Sequence, residues 1–149
     1  MYAGTGAQEY WSGNGHFYEV IEDLVSFNTA LLKAEEATHL GRKGHLVTIT
    51  SADENAFITA TTSPTTTYWI AVNGSSSSGT WRYSAGPEKG QLIAYTNWEL
   101  AQPDEPAESY VVVVFGKWRD RAISGSNGYI IEYECDSGCS LSSSGCGEN

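Results

Sequence analysis

The chain has 149 residues, which is enough for one compact domain and too few for two of ordinary size. Hydrophobic residues make up 40% of it and charged residues 17%, so it can bury a core and is not an unfolded polyelectrolyte. Eighteen acidic residues against eight basic ones give a net charge of -10, which disfavours nucleic acid and anionic membrane surfaces as partners.

The first third of the chain predicts a strand, a helix and a second strand. Residues 1–15 are rich in glycine and are expected to be irregular, and His16–Ile21 is the first strand-like run. Apolar residues then recur every three or four positions along one stripe of a helix, with Gly41 as its expected C-terminal cap. The stripe consists of Phe27, Ala30, Leu31, Ala34 and Ala37. Leu46–Thr50 is rich in β-branched residues, which predicts a strand.

A second helix is predicted to begin after Ser51. Its side chain can accept a hydrogen bond from the backbone of Glu54, and the Glu54 side chain can reach back, as in a capping box. Tyr68–Val72 follows as a buried strand, and further strands are predicted over Tyr110–Phe115 and Gly128–Glu134. This order of elements predicts an α+β domain.

Residues 73–109 form a long segment of Gly, Ser and Pro with scattered aromatic residues. So long a segment with little regular structure is uncommon within a compact domain, and it is usually functional or disordered. Its aromatic side chains provide apolar surface to bury, so we expect it to be ordered. They are Trp81, Tyr83, Tyr95 and Trp98.

All three cysteines lie at the C-terminal end, within a run rich in Ser and Gly. They are Cys135, Cys139 and Cys146. We therefore expect one domain over residues 1–135 whose core has no disulfide, and a tail or linker over residues 136–149. The gaps between the cysteines match no zinc pattern, and no histidine is close by.

Seven short motifs, taken in order, resemble the C-type lectin-like domain. They are GHLVTITSADENAFI, YWIAV, TWRY, TNW, QPD, KWRD and GYIIEYE, and the match covers His16 to about Glu134. The resemblance implies a double-loop fold: two helices flank antiparallel strands whose ends meet, and a long loop forms the ligand face. It also implies a binding module without catalytic activity.

The sequence departs from this family at its two usual disulfides. The positions that look equivalent hold an alanine of the first helix, Tyr110 and Ile131. A disulfide in a small domain contributes about 2 to 5 kcal/mol, and each buried Tyr or Ile returns roughly 1.5 to 3 kcal/mol. We therefore expect apolar packing in place of covalent closure, as in a disulfide-poor member of the family.

The resemblance also implies a calcium site. Family members with a Gln-Pro-Asp motif hold one calcium ion with its two polar side chains, a later Glu and an Asn-Asp pair that follows a Trp. Carried onto this sequence, the ligands are Gln102, Asp104, Glu108 and Asp120, with Pro103 expected after a cis peptide bond. Carboxylate and amide oxygens suit calcium, which takes about six to eight oxygen ligands.

Arg119 stands where the resemblance implies an asparagine. A guanidinium has only donors, so it cannot be a ligand of a cation. Two poses stay open. Arg119 either points away and leaves the ion one ligand short, or it pairs with Glu105 or Glu108 and puts a positive charge in the ion's place. The second pose would abolish the site.

A calcium ion held in this way would present its remaining coordination positions to two neighbouring hydroxyl groups of a sugar. In the family, an amide before the acid, as in Gln102 and Asp104, goes with galactose-type sugars. Such recognition needs an aromatic face under the sugar ring, for which Trp81 or Tyr95 is expected. The predicted ligand-binding residues are Gln102, Asp104, Glu108, Arg119, Asp120 and Trp81.

The predicted function is therefore calcium-dependent binding of a carbohydrate or glycoconjugate. The alternative is a calcium-independent domain of the same fold that binds a protein or a surface, with Arg119 in the ion's place. The resemblance further implies a secreted or cell-surface location within a larger adhesion protein. No run reaches the roughly 18 apolar residues of a membrane span, and the N-terminus shows no export signal.

Catalysis is not expected. The three histidines, His16, His39 and His45, lie outside the long loop and show no metal spacing. None has an obvious Ser or Cys to activate.

Overall fold

A computed structural model describes residues 7–75, 79–104 and 109–134. Over these residues it has two helices and one mixed sheet, which confirms the α+β class. The elements in chain order are β1 (Gln8–Trp11), β2 (His16–Val25), α1 (Phe27–Glu36), β3 (Thr38–His39), β4 (Arg42–Leu46), α2 (Ala52–Thr61), β5 (Tyr68–Ser75), β6 (Thr80–Tyr83), β7 (Tyr110–Val114), β8 (Lys117–Arg121) and β9 (Asn127–Tyr133). Neither helix has the length and apolar character needed to cross a bilayer.

The sheet brings the first and last parts of the described chain together. Its main path runs β1-β2-β9-β5-β7-β8, with β4 also paired to β9 and β6 to β5. β2 and β9 are antiparallel from Phe17 opposite Tyr133 to Val25 opposite Asn127. β5 is parallel to β9, with Tyr68 opposite Gly128. The meeting of the end strands confirms the predicted double-loop fold.

Alternation along the central strand separates two cores. In β5, Tyr68, Ile70 and Val72 belong to one buried cluster, which also contains Ile58 of α2 and Trp118 of β8. Trp69 and Ala71 point to the other face, into the cluster that α1 covers. Because successive side chains of a strand alternate between faces, one nearly continuous apolar run serves both cores.

The first helix confirms the predicted stripe and corrects its end. Phe27, Ala30 and Ala34 are buried, and the remaining stripe residues are half-buried. The helix begins at a Ser26 cap and ends at Glu36, with Ala37 as an extended C-cap. The prediction that Gly41 caps this helix is therefore wrong. Gly41 has a φ of 77° in the tight turn between β3 and β4.

The second helix begins where predicted. The Ser51 hydroxyl accepts a hydrogen bond from the Glu54 N–H at 3.1 Å. The Glu54 carboxylate reaches back to the N–H of Thr50 at 2.8 Å, one residue before the position that a capping box predicts. Glu54 is 2% exposed, so this carboxylate belongs to the interior.

The strand predicted over Leu46–Thr50 is shifted in the structure. β4 ends at Leu46, and the Val47 N–H still donates to the Ile130 carbonyl of β9 at 3.0 Å. The regular pairing then stops, although residues 47–49 are buried. The reason lies in their donors: the N–H groups of Thr48 and Thr50 donate to the carboxylates of Glu132 and Glu54. For these two N–H groups, side-chain carboxylates take the place of the carbonyl groups of a neighbouring strand.

Sequence patterns also missed four strands. β1 lies in the glycine-rich start, which we expected to be irregular, and β3 has only two residues. β6 lies inside the long segment, where it forms a hairpin with β5. β8 pairs with all of β7, from Tyr110 opposite Arg121 to Val114 opposite Lys117. In β8, Lys117, Arg119 and Arg121 alternate with the buried Trp118 and Asp120. With four charged residues out of five, the segment lacks the apolar residues by which a strand is recognised in the sequence.

Apolar packing occupies the positions that resemble the family's disulfides. Ile131 is 4% exposed and shares a cluster with Ala30 and Ala34 of α1. The Tyr110 ring lies against Phe27, with centroids 4.5 Å apart. This packing confirms the expected substitution. The three cysteines lie outside the described residues.

Candidate functional site

The segment that carries the Gln-Pro-Asp motif runs along the free edge of β8. The N–H of Trp118 donates to the carbonyl of Asn97, and the N–H of Glu99 donates to the carbonyl of Trp118, both at 2.9 Å. The N–H of Gln102 then donates to the Glu99 carbonyl at 2.9 Å and closes a turn. These bonds fix where the motif begins relative to β8.

Trp118 anchors β8 to the body of the domain. Its ring is fully buried, and its Nε1–H donates to the Asn55 Oδ1 at 3.0 Å. The Asn55 amide in turn donates to the carbonyl of Gly116 at 2.9 Å. A satisfied buried amide therefore ties α2 to the strand that carries Asp120.

Three of the four predicted metal ligands lie together. The Gln102–Pro103 peptide bond is cis, as predicted. The Gln102 Oε1 accepts a hydrogen bond from the Asp120 N–H at 3.2 Å, and the Asp120 Oδ2 accepts one from the Asp104 N–H at 3.1 Å. Asp120 is 4% exposed, whereas Asp104 is open to solvent. Glu105 and Glu108 lie outside the described residues.

Arg119 has a partner that the sequence did not suggest. Its Nε forms an ion pair with the Glu99 carboxylate. The hydrogen bond from Arg119 holds the pKa of Glu99 below its ordinary value. Along β8, burial alternates, so that Asp120 points inward while Arg119 is half-exposed. The guanidinium is thus engaged by a carboxylate of the preceding segment.

The donor set suits a hard cation. The hydrogen bonds bring the Gln102 amide oxygen, the Asp120 carboxylate and the backbone of the exposed Asp104 to one place. Amide and carboxylate oxygens are the usual ligands of calcium. Arg119 contributes no ligand, and its pairing with Glu99 balances its charge. The residues present therefore fit calcium, with the remaining coordination positions left for other oxygen donors.

Trp81 does not fit the predicted role of sugar platform. In β6 the residues alternate between exposed and buried, and Trp81 falls on the buried side at 5% exposed. Its ring packs against Trp98, with centroids 5.2 Å apart. Tyr95, the other aromatic candidate, is half-buried and packs edge-on against Trp118. Trp81 therefore contributes to the hydrophobic core rather than to an exposed sugar-binding surface.

A second polar cluster, which the sequence did not reveal, lies where β2, β4 and β9 meet. The His16 Nδ1 is 2.6 Å from the Glu132 Oε2, and the His45 Nε2 is 2.8 Å from the Glu134 Oε2. The Tyr18 hydroxyl donates to Glu54 at 2.7 Å and also lies 3.3 Å from Glu132. His16, Glu132 and Glu134 stand close enough to hold a metal ion. His16 is far from Glu132 and Glu134 in the sequence, so the spacing did not indicate a possible metal site, and only the fold brings the three residues together.

Burial shifts the proton affinities in this cluster. It raises the pKa of Glu132 well above its usual range and lowers the pKa of His16. Burial also disfavours the charged form of His45, but the hydrogen bond to Glu134 and the charge of Glu132 outweigh it and raise the pKa of His45 to about 9. At neutral pH His45 is therefore an imidazolium held by carboxylates.

Comparison with known sequences identifies relatives over most of the chain. Halomucin of Haloquadratum walsbyi is 33% identical over 134 residues, covering 80% of this chain. Human C-type mannose receptor 2 is 32% identical over 90 residues, covering 57% of this chain. The matched regions are 1% and 6% of those proteins, so the chain corresponds to a small part of each.

Solved structures show the same fold. The mouse scavenger receptor C-type lectin carbohydrate-recognition domain superposes with a TM-score of 0.71 at 24% identity, covering 84% of this chain and 93% of that one. The C-type lectin CEL-I of Cucumaria echinata gives a TM-score of 0.68 at 21% identity, covering 86% and 96%.

The sequence model of one family, described as the lectin C-type domain, matches residues 29–136. This range contains α2, the long segment, strands β3 to β9 and all of α1 except its first two residues. The chain therefore belongs to the C-type lectin domain family.

Proposed function

We propose that this domain binds a carbohydrate or glycoconjugate through a calcium ion, without catalytic activity. The hydrogen bonds that join Gln102, Asp104 and Asp120 are the observation that carries the proposal. They hold oxygen donors from two separate segments at one place, next to the surface. Family members bind ligands in general, and the mouse relative is named a carbohydrate-recognition domain.

In the proposed site, Gln102, Asp104 and Asp120 would hold the ion, together with Glu108. Bound calcium would supply electrophilic coordination positions for vicinal hydroxyl groups of a sugar. The buried Asp120 orients the set, since its backbone N–H holds the Gln102 amide and its carboxylate holds the Asp104 backbone. Asp104 is exposed, and in this proposal its carboxylate would accept hydrogen bonds from sugar hydroxyls.

The amide-before-acid order of Gln102 and Asp104 supports a galactose-type ligand. Tyr95 is the remaining aromatic candidate for the sugar face, because Trp81 is buried. We further propose a secreted or cell-surface location, as a module of a longer adhesion protein. Residues 136–149 would then act as a tail or linker to the rest of that protein.

Calcium titration of chelator-treated protein tests the proposal. Tryptophan fluorescence is a suitable reporter, because Trp98 lies next to Glu99 and its ring contacts Trp118 at 5.8 Å. We expect a saturable fluorescence change and a higher melting temperature at millimolar calcium. Asp104→Asn should weaken both, because it replaces a carboxylate with a neutral amide. Asp23→Asn, on an exposed site of β2, is the matched control.

A glycan array with and without calcium then tests the sugar. Galactose-terminated glycans should bind only with calcium and should be lost with Asp104→Asn. No response to millimolar calcium would reject the proposal and favour the calcium-independent protein- or surface-binding alternative. Calcium binding without any glycan signal would keep the metal site and reject the sugar.

A further inference from the structure

A cavity of about 370 Å³ opens between the start of α1, strand β6 and the loop that follows β6. Its volume falls within the range of about 300 to 1,000 Å³ that is typical of small-molecule sites. Arg82, Asn73 and Tyr110 form a row across β6, β5 and β7, because Asn73 is the register partner of both other residues. Cross-strand partners share a face, so these side chains line one floor.

The cavity lies apart from the proposed calcium site. In the β7–β8 ladder, Val111 stands opposite Asp120, so these two side chains share a face. Tyr110 precedes Val111 and therefore points to the other face, where it packs against Phe27 of α1. The cavity and Asp120 are thus on opposite sides of the sheet.

The charge of the cavity is opposite to that of the chain. Among the described residues, its lining includes two cations, Arg82 and Lys89, and no carboxylate, although the chain has 18 acidic residues and only eight basic ones. The Arg82 Nη1 donates to the Gly90 carbonyl at 2.9 Å, which holds the guanidinium over the loop that carries Lys89. That loop is itself closed by a hydrogen bond from the Gly90 N–H to the Tyr83 carbonyl at 2.9 Å.

Neutral donors accompany the two cations. The Asn73 Oδ1 accepts a hydrogen bond from the Ser84 hydroxyl at 2.9 Å, so the amide offers its N–H₂ group as a donor. Asn28 lines the cavity from the first turn of α1, a turn without acidic residues. The positive end of that helix adds to the same field. Tyr110 and Leu31 supply the apolar part of the wall.

We propose that this cavity binds an acidic monosaccharide. The carboxylate or sulfate would pair with Arg82 and Lys89, a ring hydroxyl would accept from Asn73, and the apolar face of the ring would rest on Tyr110. A planar guanidinium suits both oxyanions through paired hydrogen bonds. The site acts independently of the proposed calcium site and requires no metal.

Isothermal titration with glucuronate and glucose 6-sulfate, compared with neutral glucose, tests this site in the presence of a chelator. We expect both acidic sugars to bind at least about tenfold more tightly than glucose, since the charge-assisted hydrogen bonds are missing for glucose. Arg82→Gln/Lys89→Gln should abolish the difference. Lys43→Gln/Lys117→Gln removes the same charge from exposed positions outside the cavity and should leave it unchanged.

The proposal would be overturned by equal affinity for glucose and both acidic sugars, by binding that survives Arg82→Gln/Lys89→Gln, or by binding that the chelator removes. Competition by acetate or inorganic sulfate as effective as that by the sugars would also overturn it, because the site would then recognise only an anion. Melting curves of both double variants check that they are folded. Failure of the calcium proposal leaves these results unaffected, because every titration is made without calcium.

Discussion

Arg119 and Glu99 form an ion pair that joins β8 to the segment carrying the Gln-Pro-Asp motif. Their side chains are 41% and 38% exposed, so the pair adds little to the stability of the domain. Its effect is local. Arg119 and Arg121 flank Asp120 in the sequence, and Glu99 pairs with the first of them. It thereby offsets one of the two positive charges beside the proposed metal site.

Glu99→Gln should therefore weaken calcium binding. The change removes the negative partner of Arg119 and leaves its positive charge uncompensated near the proposed calcium site. We expect a loss of about three- to tenfold in calcium affinity at low salt, with the melting temperature nearly unchanged. Calorimetric titration measures it.

The double variant Glu99→Gln/Arg119→Gln removes both charges and serves as the control for this prediction. Its calcium affinity should return to near that of the unchanged protein. If the single variant binds calcium as well as the unchanged protein does, then the ion pair has no influence on the site.

The pH dependence of stability should reveal His45. Its pKa is raised to about 9 in the folded protein, against 6.5 for a free side chain. A raised histidine pKa stabilises the folded state fully below pH 6.5, and this contribution disappears as the pH rises through 9. We expect the free energy of unfolding to fall over this window by up to about 3 kcal/mol.

His45→Gln should remove most of this slope in denaturant titrations at pH 6.5, 8 and 9.5. His16 has a lowered pKa, so its own effect falls below pH 6.5 and does not enter the window. Burial raises the pKa of Glu132, which also makes stability fall as the pH rises, so Glu132 accounts for the part of the slope that remains. A slope that is the same with and without His45 would show that another group titrates there.

Asn55→Leu should destabilise the domain and disturb the candidate site together. The variant keeps the volume but leaves the buried Nε1–H of Trp118 without its acceptor. We expect a loss of about 1 to 3 kcal/mol in the free energy of unfolding. Ala56→Leu, at the exposed next position of α2, should change little, and equal losses in both would argue against this role.

Ile131→Ala should show how much apolar packing contributes where the family resemblance implies a disulfide. Ile131 is buried against α1, and truncation of such a side chain typically costs about 2 to 5 kcal/mol. Leu32→Ala, at a side chain that is 57% exposed, should cost less than about 0.5 kcal/mol. Urea denaturation of both variants gives the comparison, and similar losses would contradict it.

The sequence predicted the elements that are specified by residues a few positions apart, such as the two helices. The stripe from Phe27 to Ala34 has helical spacing, and the Ser51 cap lies three residues from the N–H that it accepts. β4 and β8 could not be predicted in the same way. The donors of Thr48 and Thr50 find carboxylates rather than a strand, and β8 depends on β7 and on the Asn97–Glu99 segment for its pairing.

The residues of the candidate site were predicted from the family resemblance and not from a local sequence pattern. Gln102 and Asp120 are 18 residues apart and meet only because the segment after Trp98 turns back along β8. The partner of Arg119 and the burial of Trp81 also followed from tertiary packing. His16 and Glu132, separated by 116 residues, meet through the β2–β9 pairing, which no local signal indicates.

The segment from Asn97 to Glu99 lies on the outer side of β8, which ends the main path of the sheet. It thereby occupies backbone groups that would otherwise be open to a strand from another molecule. The exposed Lys117 adds a positive charge along the same edge, and charged side chains disfavour edge-to-edge pairing of sheets. The peptide that leads to the candidate ligands thus also covers this edge of the sheet. We expect substitutions that detach it to expose the edge to pairing with a second molecule.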